Sequence, residues 1–257
     1  MAYSPDYRTF PGARSATAAS AALDTGLRAY MLHVYNWMAS GLLLTGIIAY
    51  VVANTSFINV LYPVVQTPYG MAHTASPLAM LLIFLPLAFV LVLSFGINRL
   101  SRQMAQTLYW LFCAAMGLSL TNIFLIYTST SIVRVFFITA ATFAAMSIYG
   151  YTTRADLSRW GSFLMMGLIG VIIASVVNIF LHSTGLQFVV SVAGVLVFTG
   201  LTAYDTQRIK ATYVSYAYAE GADQAAKRSV YDALALYLNF INLFMLILQL
   251  VGNRNSN

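Results

Sequence analysis

Polar side chains stand out in this chain because they are so few. Asp205 closes an apolar run, Phe198-Thr-Gly-Leu-Thr-Ala-Tyr-Asp205, and Thr-Gln-Arg-Ile-Lys follows it. A carboxylate at the edge of such a run is costly, which makes it the first place to look for an ion or proton route. At the C-terminal end of a helix it would also oppose the helix dipole, so something local must compensate. Two readings stand for Asp205: an interfacial carboxylate paired with Arg208 or Lys210, or part of a polar pathway or gate. The last apolar run carries Asp232, Asn239, Asn242 and Gln249, which fall within about a 100° arc at 3.6 residues per turn. Lipid would leave those amides unsatisfied, so the stripe must face other helices or water. Asn242 and Gln249 read either as part of a pathway or as glue between helices. Arg99 and Arg102 end the second apolar run on the side expected for Asp205, and read as topogenic anchors or as partners for a carboxylate. The candidate gate or ion-pathway residues are therefore Asp205, Asn239, Arg99, Asp232 and Asn242.

Other chemistry finds little support. His33, His73 and His182 are scattered over different segments with no Cys, Asp or Glu at metal-ligand spacing. No Gly-rich phosphate loop, nucleophile elbow or paired catalytic carboxylate is present, so the expectation is a protein that is not an enzyme and needs no cofactor. Cys113, the single cysteine, sits in an apolar run and reads as a small core residue.

The elements that must position these residues are transmembrane helices. The chain has 257 residues, 60% hydrophobic and 8% charged, where a soluble domain carries about 25% charged residues. Such a chain cannot clothe a water-facing exterior, so the lipid bilayer is its first partner. Seven segments approach the roughly 20 apolar residues needed to cross a ~30 Å hydrocarbon layer. They are Ala29 to Val52, Leu78 to Ile97, Leu108 to Tyr127, Ile132 to Tyr151, Ser162 to Leu181, Leu186 to Tyr204, and Ala233 to Val251. None shows the alternation of a barrel strand, so the fold class is all-α, a polytopic seven-helix bundle. Residues 1–28 read as a flexible N-terminal tail without the apolar core of a cleavable signal, 29–252 as the membrane domain and 253–257 as a short C-terminal tail.

Charge orients the bundle. Arg8, Arg14 and Arg28 precede the first run, Arg99 and Arg102 follow the second, and Arg154 and Arg159 follow the fourth. Arg208, Lys210, Lys227 and Arg228 follow the sixth. The other loops lack Lys and Arg, so the N-terminus is expected in the cytoplasm. Arg254, at the C-terminus, leaves a re-entrant last helix as an alternative to full crossing. The net charge of +6 is spread over loops rather than gathered on one face, which suits an anionic leaflet and argues against a nucleic-acid partner.

Four stretches carry a resemblance to the Bax inhibitor-1 (transmembrane Bax inhibitor motif) family: Arg28-Ala-Tyr-Met-Leu-His-Val-Tyr-Asn-Trp-Met, Met116-Gly-Leu-Ser-Leu, Ala203-Tyr-Asp-Thr-Gln-Arg-Ile-Lys and Leu236-Tyr-Leu-Asn-Phe-Ile-Asn-Leu-Phe. The likeness covers roughly Arg28 to Gly252 and is closest to bacterial members, which implies an inner-membrane location. It further implies a last helix surrounded by the other six, and a calcium-leak channel regulated by pH. In that family a pair of aspartates, one from the sixth and one from the last helix, is hydrogen-bonded near the cytoplasmic mouth, and a basic residue of the second helix exchanges with it on opening. Asp205 matches the first aspartate, Arg99 is the match for the basic residue, and Asn239 stands where the second aspartate would be. Two close carboxylates share a proton and form a pH sensor, whereas an Asn removes that coupling. The expected pH response is therefore weakened, with calcium as the permeant ion and at most a transient Ca²⁺ at Asp205. The alternative, from another class, is a non-enzymatic regulator of membrane proteases or of membrane-protein quality control. No oligomeric state is read from the chain.

Overall fold

Why the helices run longer than the apolar segments is a matter of composition. The structure, a computed structural model, describes residues 11–67, 70–96, 99–216 and 221–255. Seven long helices run through it: α1 (Pro11–Ala53), α2 (Pro77–Gly96), α3 (Arg102–Ser119), α4 (Ser129–Thr152), α5 (Ser158–Leu181), α6 (Thr184–Tyr216) and α7 (Ala222–Val251). Each contains or belongs to a stretch long and apolar enough to cross a membrane, and α3 continues for this purpose through a 3-10 turn to Ile126. Polar helix formers extend several of them past the apolar core. Thr206-Gln-Arg-Ile-Lys-Ala carries α6 beyond Asp205, and Ala222 to Tyr231 starts α7 well before Ala233.

Two expectations change as a result, one for Asp205 and one for residues 11–28. Asp205 does not lie at a helix C-terminus; it sits inside α6, which ends at Tyr216, so the helix dipole exerts no end effect on it. The connection between the sixth and seventh spans is mostly helix, with residues 217–220 outside the described ones. Residues 11–28, expected to be a flexible tail, belong to α1. Their run of alanines favours helix; residues 1–10, including Arg8, lie outside the described residues.

Local signals fix several boundaries. Ser101 caps α3 by accepting from the Met104 amide at 3.3 Å, and Thr128 caps α4 by accepting from Ser131 at 3.3 Å. Proline opens α2 at its first position, where a missing N–H costs nothing. The α1–α2 connection holds a one-turn helix, Ile58–Leu61, and a small antiparallel hairpin pairing Val64–Thr67 with Gly70–His73. This hairpin stands outside the membrane-crossing helices and leaves the all-α class unchanged.

The C-terminal helix is central. Of its apolar window 56% is buried, against 6% for α5. It lies against α1, α3, α4 and α6, while α2 packs on α3 and α5 packs on α6 at the periphery. The core thus forms around Ala233, Leu236, Tyr237, Leu243 and Leu248, all fully buried. Where helices come closest a glycine makes room: a Cβ at Gly150 of α4 would strike the Ala203 carbonyl of α6, and one at Gly117 of α3 would come within 2.8 Å of the Thr45 carbonyl of α1. A Cβ at Gly170, whose spacing to Ala174 suggests a similar approach, would meet nothing within 4 Å.

Full crossing of the last helix follows from its two ends. At its start, Asp223 faces Arg102 at 3.6 Å, beside the α2–α3 connection. At the far end, Thr128 donates its amide to the Asn253 carbonyl at 3.1 Å, and Asn255 donates to the Ile126 carbonyl at 2.9 Å, both on the α3–α4 connection. A re-entrant helix could not touch both ends of α3.

Candidate functional site

Antiparallel packing of α6 against α7 brings together the two residues singled out by the sequence. The Asn239 side chain donates from Nδ2 to Oδ2 of Asp205 at 2.7 Å. Both are buried, with 6% and 8% of their surfaces exposed. The amide orientation has a physical reason: its carbonyl would face a carboxylate and be repelled, whereas its N–H₂ satisfies an acceptor. The other carboxylate oxygen, Oδ1, receives Nη2 of Arg208 at 3.0 Å, one helical turn along α6. Arg208 keeps 47% of its side chain exposed, so it reaches the buried carboxylate while its stem stays near water. Asp205 thus accepts from two donors.

Around this pair lie further polar groups. Tyr30 of α1 donates its hydroxyl to Oδ2 of Asp232 at 2.6 Å, and its ring leans on Tyr213 of α6 at 4.9 Å. Asp232 also lies near enough to Arg208, Arg228 and Asp205 to feel their charges. A chain of hydroxyls runs beside it. Thr206 donates to the Thr202 carbonyl at 2.8 Å, Ser147 of α4 lies 3.0 Å from the Thr206 hydroxyl, and Tyr35 of α1 bonds to Ser147. Each hydroxyl has one proton, so with Thr206 already committed Ser147 donates to Thr206 and Tyr35 donates to Ser147. Three helices are linked in this way next to Asp205.

The opposite side of α7 is sealed. Thr45 donates to the Cys113 carbonyl at 2.9 Å and lies 2.7 Å from the Tyr237 hydroxyl, while Tyr109 donates to the Trp37 carbonyl at 2.9 Å. Tyr109, Phe112 and Tyr237 are wholly buried, and the last two rings meet edge to face at 5.2 Å. Cys113 lies within this layer, fully buried.

The remaining sequence candidates separate from the site. Arg99 does not reach Asp205: it is exposed at the end of α2, a helix packed on the outside of α3, and forms no ion pair among the described residues. Arg208, one turn along the same helix, is the basic residue that pairs with the carboxylate. Arg102 pairs with Asp223 at 3.6 Å on the surface, where such pairs contribute little. Lys210 donates to the Tyr151 carbonyl at 2.9 Å instead of reaching Asp205. Asn242 donates to the Leu238 carbonyl of its own helix at 2.8 Å, and Gln249 accepts from Ser191 at 3.1 Å. The Gln249 contact holds α6 to α7 and is remote from Asp205. Among the described residues, no three His, Cys, Asp or Glu side chains cluster closely enough to hold a metal ion.

Sequence reasoning missed Tyr30, Tyr35, Ser147 and Thr206. A hydroxyl in an apolar helix leaves no distinctive signal, since it can bond to its own backbone, as Thr139 and Thr202 do here. The three-residue spacing of Asp205 and Arg208 was a usable signal, provided the helix is drawn through both.

Seven apolar helices, with the last one central and carrying the buried Asn239, define a polytopic all-α integral membrane protein; Asp232 and Asn242 of its polar stripe are half-buried and Gln249 is exposed. The family described as "Inhibitor of apoptosis-promoting Bax1" matches residues 27–256. The chain is 43% identical to the inner membrane protein YbhL of Escherichia coli, over 89% of this chain and 93% of that protein. It is 44% identical to an uncharacterized protein of Rickettsia prowazekii, over 93% of this chain and 96% of the relative. A protein of Caulobacter vibrioides is likewise 44% identical, over 94% and 95%. The chain belongs to the Bax inhibitor-1 family.

Proposed function

We propose that this protein is a cation leak channel, with calcium as a permeant ion and Asp205 as the station a passing cation must visit. The observation that carries the reading is a carboxylate only 8% exposed in the bundle interior, held by an amide donor on one oxygen and a half-exposed guanidinium on the other. A buried charge with no stake in folding would be selected against by its desolvation cost, and a cation pathway gives it a use. Arg208 is the latch. While its guanidinium occupies Oδ1, a cation cannot; when it swings out to water, the carboxylate becomes free to receive one. Asp232 is the further carboxylate, one that feels the charge of Asp205, and Ca²⁺ prefers several oxygens at once.

Asn239 shapes the response. A second carboxylate at this position would share a proton with Asp205, whereas the amide donates a hydrogen bond at every pH. The channel therefore leans closed, with a weaker pH dependence than a two-carboxylate site. Catalysis has no part in this reading. The protein works in the bacterial inner membrane with its N-terminus in the cytoplasm, a reading supported by the loop arginines and by the likeness to YbhL.

Flux decides the matter. In calcium-loaded proteoliposomes, Asp205→Asn should lower the leak at least about tenfold, the factor given by ~1.4 kcal/mol on the barrier. Removal of residues 1–22 should leave it near wild type. A non-enzymatic regulator of membrane proteases would show the reverse pattern in vivo, depending on its N-terminal tail and the connection between α6 and α7, with Asp205 dispensable. Unchanged leak in Asp205→Asn would overturn the channel reading.

A further inference from the structure

The bundle is split between α1 and α4. Both helices lean on α7 but scarcely touch each other, and a groove of about 730 Å³ opens between them with Phe240 of α7 as part of its floor. Small side chains make the space: Ala140 and Ala144 line the α4 wall opposite Met31 and Met38 of α1. A second hollow of about 300 Å³ continues the same cleft toward the other face, again floored by Phe240 and lined by Thr45, Gly46 and Phe136.

The chemistry of the first groove is graded along its length. At its surface end stands Arg28, exposed, near the start of the α1 span and without an ion pair among the described residues. Below it the lining is apolar apart from Tyr35, Ser147 and Tyr151. Tyr35 and Ser147 bond to each other, so this part of the wall presents no unsatisfied group to a hydrocarbon. From Arg28 to Met38 is ten residues, about 15 Å of helix, which is about one leaflet of a ~30 Å core. A cationic end at the membrane surface above a leaflet-long apolar slot is the complement of a single lipid.

We propose that the groove between α1 and α4 is a binding site for an anionic glycerophospholipid, with its headgroup phosphate on Arg28 and one acyl chain lying over Ala144 and Phe240. An unpaired guanidinium at the mouth favours a net negative headgroup over a zwitterionic one. The site is independent of the channel reading, although its wall includes Ser147, whose hydroxyl donates to Thr206 beside Asp205.

Native mass spectrometry of the full-length protein in detergent tests this. Dioleoyl phosphatidylglycerol and dioleoyl phosphatidylcholine would be titrated separately. The wild type should retain the former in preference by about fivefold, the factor one arginine near an anionic surface supplies. Arg28→Gln should bring the two lipids to parity. Ala144→Trp, and the milder Ala140→Leu should the first fail to fold, should lower retention of both. Arg134→Gln, which removes an exposed arginine outside the groove, should change nothing. Equal retention by wild type and a folded groove-filled variant, an equal loss in Arg134→Gln, or a lipid-free dimer that covers the groove would each overturn the proposal.

Discussion

At Asp205 two donors compete with burial for one carboxylate. The Asn239 bond is made inside the bundle at 2.7 Å, and the Arg208 pair at 3.0 Å reaches in from a half-exposed position. These contacts differ in consequence. Truncating Asn239 to Leu would strip a buried acceptor of its internal donor, at a cost of about 1–3 kcal/mol, and should lower the melting temperature in detergent. Arg208→Gln removes a partner that water can partly replace, so its cost should be nearer 1 kcal/mol. Its leak should rise, because the latch is gone. A lower leak in Arg208→Gln would mean that the guanidinium conducts cations toward Asp205 rather than blocking them. Asp205 is legible in the sequence because a carboxylate bordering an apolar run is rare, and Asn239 because its stripe-mates share its helical phase. Arg208 is harder to choose over Arg99: both are basic residues on the expected side, and only the packing of helices separates them.

On the scale of helices, the site depends on how closely α4 and α6 approach. Gly150 allows the Ala203 backbone to sit where a side chain would otherwise be, two residues before Asp205. Gly150→Leu should therefore destabilise the bundle by about 1–3 kcal/mol through overpacking and shift α6 near the carboxylate. Gly170→Leu, with open space around it, should be close to neutral in the same melting measurement. Apolar length marks the seven helices well, and the reach of their apolar cores is readable from hydropathy alone. Their polar extensions are not, since Thr206 to Tyr216 and Ala222 to Asp232 look like loop by hydropathy and like helix only by propensity. The small antiparallel pair of strands, 64–67 and 70–73, is similarly hidden, because four-residue strands are too short to show a period.

For the molecule as a whole, the described residues hold seven helices long and apolar enough to cross a membrane, an odd number. Asn253 and Asn255 dock on the α3–α4 connection, at the end of α7 opposite to Asp223. The sole cysteine, Cys113, is buried, so engineered cysteines report against a silent background. A cysteine at position 215 should be shielded from an impermeant maleimide in intact cells, and one at position 254 should react; the opposite pattern would invert the orientation drawn from the loop arginines. The centrality of α7 is legible from its polar stripe, and the outside position of α2 and α5 has a counterpart too: their windows are the most apolar of the seven, with mean hydropathy 2.8 and 2.5 against 1.6 to 2.1 for the rest, as helices turned largely to lipid require.

The central claim is that Asp205 has an amide, Asn239, as its direct partner across the α6–α7 contact, so no proton is shared there. Calcium leak measured in proteoliposomes from about pH 6 to about pH 8, the range over which a shared-proton sensor would act, tests it directly. The wild type should show a shallow profile and Asn239→Asp a steeper one, with leak changing as the new pair gains or loses its proton. A wild-type profile as steep as that of Asn239→Asp would contradict the account.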